Sequence, residues 1–264
     1  MSTSIPSSIR LAWRNLKVNM DPGSLTVIVG LPALYLIFMG TMYSSIVSNF
    51  QVGGVTYHYA TYLAPGIVAF QTVMAGTIGG SMLWLDRRYG MFSQILSGPF
   101  TRTQYLIGII LATTAASLVG AALMLVIAFA IGSTIHIWLL GFSLVLLNLI
   151  VGGIFFCSLM LYIAAKVKSN NTYNSIQILI LFIINFVSSV FYPLKLGFTP
   201  FVLYYASYLN PLTYISDGIR AGLGVPGEIF GTCNPIETVV LLIETTAMFL
   251  IAYRTYTSVR VGRY

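Results

Sequence analysis

The 264 residues are 57% hydrophobic and 7% charged, where soluble domains carry roughly 25% charge, so a soluble globular fold is excluded and an all-α polytopic membrane protein is expected. The net charge of +7 does not point to nucleic acid, because the basic residues lie in short segments beside apolar stretches. Anionic lipid headgroups and the positive-inside rule account for them there.

In residues 8–20, Ile9, Trp13, Leu16 and Met20 share one side of a helix, with Arg10, Arg14 and Lys17 on its flank. This predicts a membrane-surface helix anchored by Trp13, or else a solvated helix on a soluble partner. Asp21-Pro22-Gly23 ends it, since the residue before proline avoids helical angles. The apolar stretch that follows is too long for the core of a cleavable signal, so it is expected to stay as a span.

Six segments are apolar and long enough to cross a bilayer: about 24–44, 62–85, 104–131, 137–165, 173–192 and 236–253. Starting inside, the inner segments hold Arg10, Arg14, Lys17, Arg87, Arg88, Arg102, Lys166, Lys168, Arg254, Arg260 and Arg263, against Lys195 and Arg220 outside. Both termini are therefore expected in the cytoplasm. Two cysteines allow at most one disulfide, and Cys157 in a span with Cys233 in a polar loop disfavours it.

Between residues 22–85 and 103–165, neither of which holds a charge, lies a charged island over residues 86–104. Tyr89, Phe92, Ile95 and Leu96 recur there at helical spacing, Ser97-Gly98-Pro99 supplies a stop, and Thr101 with Gln104 matches a capping box opening the next helix. A short surface helix is predicted. It is either a connector or a docking element for a cytoplasmic partner, with Arg87 and Arg88 offering charge at its start.

Gly108, Ala112, Ala116 and Gly120 in the third span, and Gly76 and Gly80 in the second, form small-residue seams for close helix packing. In the fifth span Asn174, Gln177, Asn185, Ser188 and Tyr192 fall on one face, which cannot be turned to lipid. The stripe predicts a subunit or bundle interface, or the lining of a substrate path. Over residues 193–235, two short apolar segments joined at Asn210-Pro211 predict an extracytoplasmic re-entrant hairpin, with Asp217 and Arg220 pairing at i, i+3. Glu244 falls roughly two turns inside the sixth span, a functional candidate by its depth. Its alternatives are a neutral carboxyl or a partner for Arg220 or Lys195.

No P-loop, H-E-x-x-H, C-x-x-C or G-x-S-x-G occurs, so no cofactor or ATP site is expected on this chain. Ser133 with His136 lacks a buried carboxylate to orient the imidazole. Two further classes stay open: a membrane-embedded enzyme acting on lipid with Glu244 and Asp217 as acid and base, and an ion-coupled carrier built on Glu244.

Three stretches taken in order carry a resemblance: Tyr62-Leu63-Ala64-Pro65-Gly66-Ile67; Arg88, Gly90, Pro99, Arg102 and Gly108; and Phe191-Tyr192-Pro193 followed by Asn210-Pro211-Leu212-Thr213-Tyr214 and Asp217-Gly218-Ile219-Arg220. Together they resemble the type-2 ABC exporter permeases, in particular the branch that includes daunorubicin-resistance and nodulation-factor export permeases. The resemblance implies one six-span transmembrane domain over residues 1–264 in the cell membrane. It also implies a second permease copy, and separate ATPase subunits that hold ATP and Mg. Residues 8–20 would be the connecting helix. The island, with Arg87, Arg88, Tyr89, Gly90, Phe92, Ile95 and Leu96, would be the coupling helix, and the outer hairpin the re-entrant element. Substrates in the family range from drugs, including those of multidrug resistance, to lipids and glycans. One departure concerns the island, where the family often has a glutamate near the Gly90 position and this chain has Arg87-Arg88 and Met91-Phe92.

Overall fold

A computed structural model describes residues 6–19, 22–46, 50–52, 55–136, 138–194, 199–225 and 235–257. Helix α1 (Ser7–Asn19) precedes α2 (Pro22–Leu34), which continues through a π-helical turn at Tyr35–Met39 into α3 (Gly40–Ile46). Strands β1 (Phe50–Val52) and β2 (Val55–Tyr57) pair antiparallel, Phe50 opposite Tyr57. Then come α4 (Tyr59–Arg88), α5 (Met91–Ser97), α6 (Arg102–Ala130), α7 (Leu139–Lys166), α8 (Asn170–Phe186), α9 (Phe201–Ser207), α10 (Pro211–Gly222) and α11 (Pro235–Thr257). Apart from the one small hairpin, the described elements are helical.

Among the described residues four helices are long and apolar enough to cross a membrane: α4, α6, α7 and the Ile236–Thr257 part of α11. Ile28–Ser44 is a shorter apolar helix. The fifth predicted span is the largest departure, because α8 ends at Phe186 and residues 187–194 leave the helix. Ser188 and Tyr192 therefore do not continue the face of Asn174, Gln177 and Asn185.

Helix α4 is the centre of the bundle, buried along nearly its whole length between α6 and α7. The glycine seam of this span allows that burial: a Cβ on Gly76 would come within 2.7 Å of the Phe156 backbone, and one on Gly80 within 2.7 Å of the Met160 carbonyl oxygen. The seam on α6 serves different neighbours. At Gly108 a Cβ would meet Leu11 of α1 at 2.8 Å, and at Gly120 the Gln71 amide of α4 at 2.6 Å. So α1 lies on α6 through buried Leu11, Ala12 and Asn15, while Ile9, Trp13 and Val18 stay exposed. Trp13, 71% exposed, is free of its own chain's core, as an interfacial anchor must be.

Two apolar clusters fill the interior. One, around Phe92, Tyr105, Met160, Tyr173 and Tyr256, lies toward the charged ends of the helices. The other, around Tyr62, Ile67, Phe70, Ile215 and Ile219, lies toward the opposite ends. Cys157 is a free, buried thiol in the first of these, and Cys233 lies outside the described residues.

Candidate functional site

At the charged end, Asp86 in the last turn of α4 accepts a hydrogen bond from Tyr105 Oη of α6 at 2.7 Å and pairs with Arg14 of α1 at 3.5 Å. Gly90 follows with φ +74°, a left-handed turn that a side chain would strain, and it redirects the chain from α4 into α5. The capping box forms as the sequence predicts: Gln104 N–H donates to Thr101 Oγ1 at 3.2 Å, and Thr101 N–H to Gln104 Oε1 at 3.0 Å. The island is thus held rigidly at both ends.

Its apolar edge faces inward. Phe92 is only 3% exposed and sits edge-on to Tyr105 and Tyr256, centroids 5.4 and 5.9 Å away, while those two tyrosines stack on each other. Ile95 and Leu96 pack on the same cluster. An edge of three apolar side chains on a two-turn helix reads identically whether it meets a partner or its own chain, and here its own chain takes it. The outward surface is Tyr89, which is 73% exposed and lies in the turn before α5 rather than on it, together with Met91 and Gln94.

The basic residues are divided between the interior and the surface. Arg87 donates from Nη1 to the Ala164 and Ala165 carbonyls at 2.9 and 3.3 Å, in the last turn of α7, where a cation also meets the negative end of the helix dipole. Arg102 donates to the Thr257 carbonyl at 2.9 Å and ties α6 to the end of α11. Arg88 lies exposed over the Trp84 ring, 5.4 Å from its centroid. Arg10 and Lys17 are exposed on α1, and a groove of about 450 Å³ between α1 and α5 is lined by Arg10, Arg14, Met91, Gln94 and Gly98, among others.

The opposite end is organised by a buried ion pair. Asp217 and Arg220 of α10 meet at 2.7 Å, both side chains 0% exposed. Arg220 Nη1 also donates to Ser189 Oγ at 2.8 Å, Nη2 donates to the Ser189 carbonyl at 2.6 Å, and the guanidinium lies 4.1 Å from the Tyr62 ring centroid. Tyr62 Oη donates to the same Ser189 carbonyl at 2.8 Å, and Tyr59 Oη to the Phe191 carbonyl at 2.7 Å. Gly66 makes room for this crossing, since a Cβ there would lie 2.6 Å from the Val190 carbonyl oxygen. Asn210 caps α10 by accepting from Leu212 N–H at 3.1 Å, Pro211 takes the first helical position, and Asn210 Nδ2 reaches the Ile184 carbonyl at 2.6 Å. Thus α4, residues 187–194 and α10 form one knot around Arg220.

This knot bears on two expectations. Arg220 pairs with Asp217 at i, i+3 on a short helix as the sequence predicts, with the pair wholly buried rather than exposed in a loop. Its guanidinium is held by Asp217, Ser189, Ser216 and backbone carbonyls. Lys195 lies outside the described residues. Glu244 of α11 is half-exposed with Oε2 buried and without a hydrogen-bond partner. Asp217, held by Arg220 and Ser189, cannot serve beside Glu244 as a free acid or base.

On α8, Asn174 is exposed, Gln177 is half-buried, and Asn185 is buried with Nδ2 bonded back to the Leu181 carbonyl at 2.7 Å. Ser188 Oγ donates to the Asn185 carbonyl, and Tyr192 Oη to the Phe186 carbonyl. The polar groups past Phe186 therefore satisfy the frayed helix end rather than extend a stripe. Tyr59 and Tyr62, which complete the arginine knot, were not singled out as polar partners in the sequence, because their acceptors are backbone carbonyls more than a hundred residues away; Ser189 was missed because its partners, Ser216, Asp217 and Arg220, lie on a separate helix.

Compared with families of known proteins, the chain matches the one described as ABC-2 type transporter over residues 8–223. That span runs from α1 through the island to the end of α10. No curated protein matches the chain.

Proposed function

Because the chain belongs to the ABC-2 type transporter family, we propose that it is the membrane-spanning permease subunit of an ATP-driven exporter, working with a second permease copy and with separate ATPase subunits that bind ATP and Mg. It moves an amphipathic or hydrophobic substrate, of drug, lipid or glycan type, out of the cytoplasm. The whole of residues 1–264 forms one transmembrane domain with six spans and both termini inside. The first span is the α2 to α3 helix and the fifth is α8. Exposed Phe201, Val202, Tyr205 and Leu209 support a re-entrant α9 to α10 hairpin resting in the outer leaflet.

The observation that carries this reading is the rigid joining of the island to the bundle. Asp86, Phe92, Tyr105, Tyr256 and Arg102 connect α1, α4, α5, α6 and α11 at one end. A push on α5 must then displace several spans together, which is what an ATPase acting from the cytoplasm needs. The docking surface is Tyr89, Met91 and Gln94 with the α1 groove, and Phe92, Ile95 and Leu96 fix it from behind.

Co-expression with a candidate ATPase subunit tests the reading. The two should purify as one complex, and substrate uptake into inverted vesicles should require ATP. A chain that purifies alone and moves substrate on an ion gradient would overturn it. The buried Glu244 Oε2, without a hydrogen-bond partner among the described residues, favours that ion-coupled alternative. Single cysteines test the topology: Ser97→Cys should label only from inside and His136→Cys only from outside.

A further inference from the structure

A cleft of about 360 Å³ lies between the end of α4 and the link from α7 to α8, lined by Trp84, Arg87, Arg88, Lys168, Ser169 and Asn170. We propose that it holds the phosphate of an anionic lipid in the leaflet at the charged end of the bundle. Among the described residues, three of those that line it are cations and none is acidic. The acidic residue beside it in sequence, Asp86, is engaged by Tyr105 and Arg14. Arg87 is fixed in place by the Ala164 and Ala165 carbonyls, and Arg88 is laid over the Trp84 indole. Only Lys168, exposed in the short link, is left to close on a ligand. Fixed cations around a concave site lower the ordering cost of capturing a phosphate.

A lipid fits this place better than a soluble anion. Trp84 and Leu85 belong to the last apolar turn of α4, and Leu85 is exposed, so the cleft straddles the boundary where headgroup phosphates meet acyl chains. Tryptophan is enriched at that depth for the same reason. The proposal rests on the membrane placement given above but not on ATP-driven export.

The test uses the purified full-length chain in detergent, with no ATPase present, titrated with dioctanoyl phosphatidylglycerol, dioctanoyl phosphatidylcholine and inorganic phosphate. Native mass spectrometry reads the bound species. Phosphatidylglycerol should bind in preference to phosphatidylcholine, and Arg88→Gln with Lys168→Gln should weaken it roughly thirtyfold, the loss expected for two cations at a membrane-surface site. Arg10→Gln with Lys17→Gln removes the same charge from α1 and should leave that preference intact. Equal loss in both double variants would reduce the effect to general surface charge and overturn the site. So would equal binding of the two lipids, or inorganic phosphate displacing phosphatidylglycerol at matched concentration. Retained selectivity in the Arg88 and Lys168 variant would free the cleft for an acidic protein surface and overturn the lipid assignment. A failure here leaves ATP-dependent export untouched, because no transport is measured.

Discussion

Replacing Arg220 by methionine keeps an unbranched, flexible stem but leaves Asp217 buried without its cation. Breaking one half of a buried ion pair costs about 3–5 kcal/mol, and both partners here are 0% exposed, so the full range applies. Replacing both, as Asp217→Leu with Arg220→Met, should recover most of that. The remaining deficit is set by the carbonyls that Arg220 leaves. The Ser189 carbonyl keeps its 2.8 Å bond from Tyr62 Oη, and the Val190 carbonyl was only 3.5 Å from the guanidinium. About 1 kcal/mol is therefore expected to persist. Asp217→Leu alone leaves the guanidinium buried and unpaired and should cost a similar amount, so a double-mutant cycle on unfolding of the purified chain in detergent should show a coupling of at least about 5 kcal/mol between the two positions. If Arg220→Met unfolds like the unsubstituted chain, or if the two single losses simply add, the knot does not hold α10 to α4 in the way described.

Three more outcomes follow from the same geometry. Phe92→Ala should lower thermal stability by about 3–5 kcal/mol as a core truncation, whereas Tyr89→Ala with Met91→Ala should stay within about 0.5 kcal/mol yet lose ATPase co-purification; the reverse pattern would put the docking edge back on Phe92. Gly66→Ala should destabilise far more than a typical surface change, because its Cβ would meet the Val190 backbone at 2.6–2.9 Å; wild-type melting would show that residues 187–194 do not cross there. Glu244→Gln should leave export near normal if the carboxyl is structural, while loss with Gln but not with Asp would show that its ionisation matters.

What could be read from the sequence was local. The Thr101 and Gln104 box and the Asp217 and Arg220 pair each depend on residues three apart on one helix, where spacing alone fixes geometry. What could not be read were contacts whose acceptors are main-chain atoms. A periodic polar pattern extended the fifth helix to Tyr192, but the carbonyls of Ser189, Val190 and Phe191 are needed by Arg220, Tyr62 and Tyr59. Those carbonyls turn toward α4 and α10 from a segment that has left the helix at Phe186. The inward turn of Phe92 was hidden for a different reason: amphipathicity gives the face of a helix but not what covers it. Its cover, Tyr105 and Tyr256, comes from helices thirteen and more than a hundred and sixty residues on.

The two ends of the molecule are joined by α4, which carries Asp86 and Arg87 at one end and Tyr59, Tyr62 and Gly66 at the other. Backbone-distance contacts at Gly76 and Gly80 lock it to α7 between them, so α4 and α7 should move as one body when the island is displaced. Helix α8 is the contrast. Ile178, Leu179, Phe182, Ile183 and Phe186 are all 47–58% exposed, and Gln177 Oε1 and Asn185 Oδ1 are buried without hydrogen-bond partners. An apolar face with polar groups at its edge suits a second permease copy better than lipid, which offers no donors. In a Cys233→Ser background, with Cys157 buried, Phe182→Cys should therefore form a disulfide-linked dimer on oxidation in native membranes, given the close Cα approach that bond requires. Leu139→Cys, at a position 90% exposed on α7, should not. Cross-linking through Leu139→Cys but not Phe182→Cys would place the second copy against α7 and leave the α8 face to lipid.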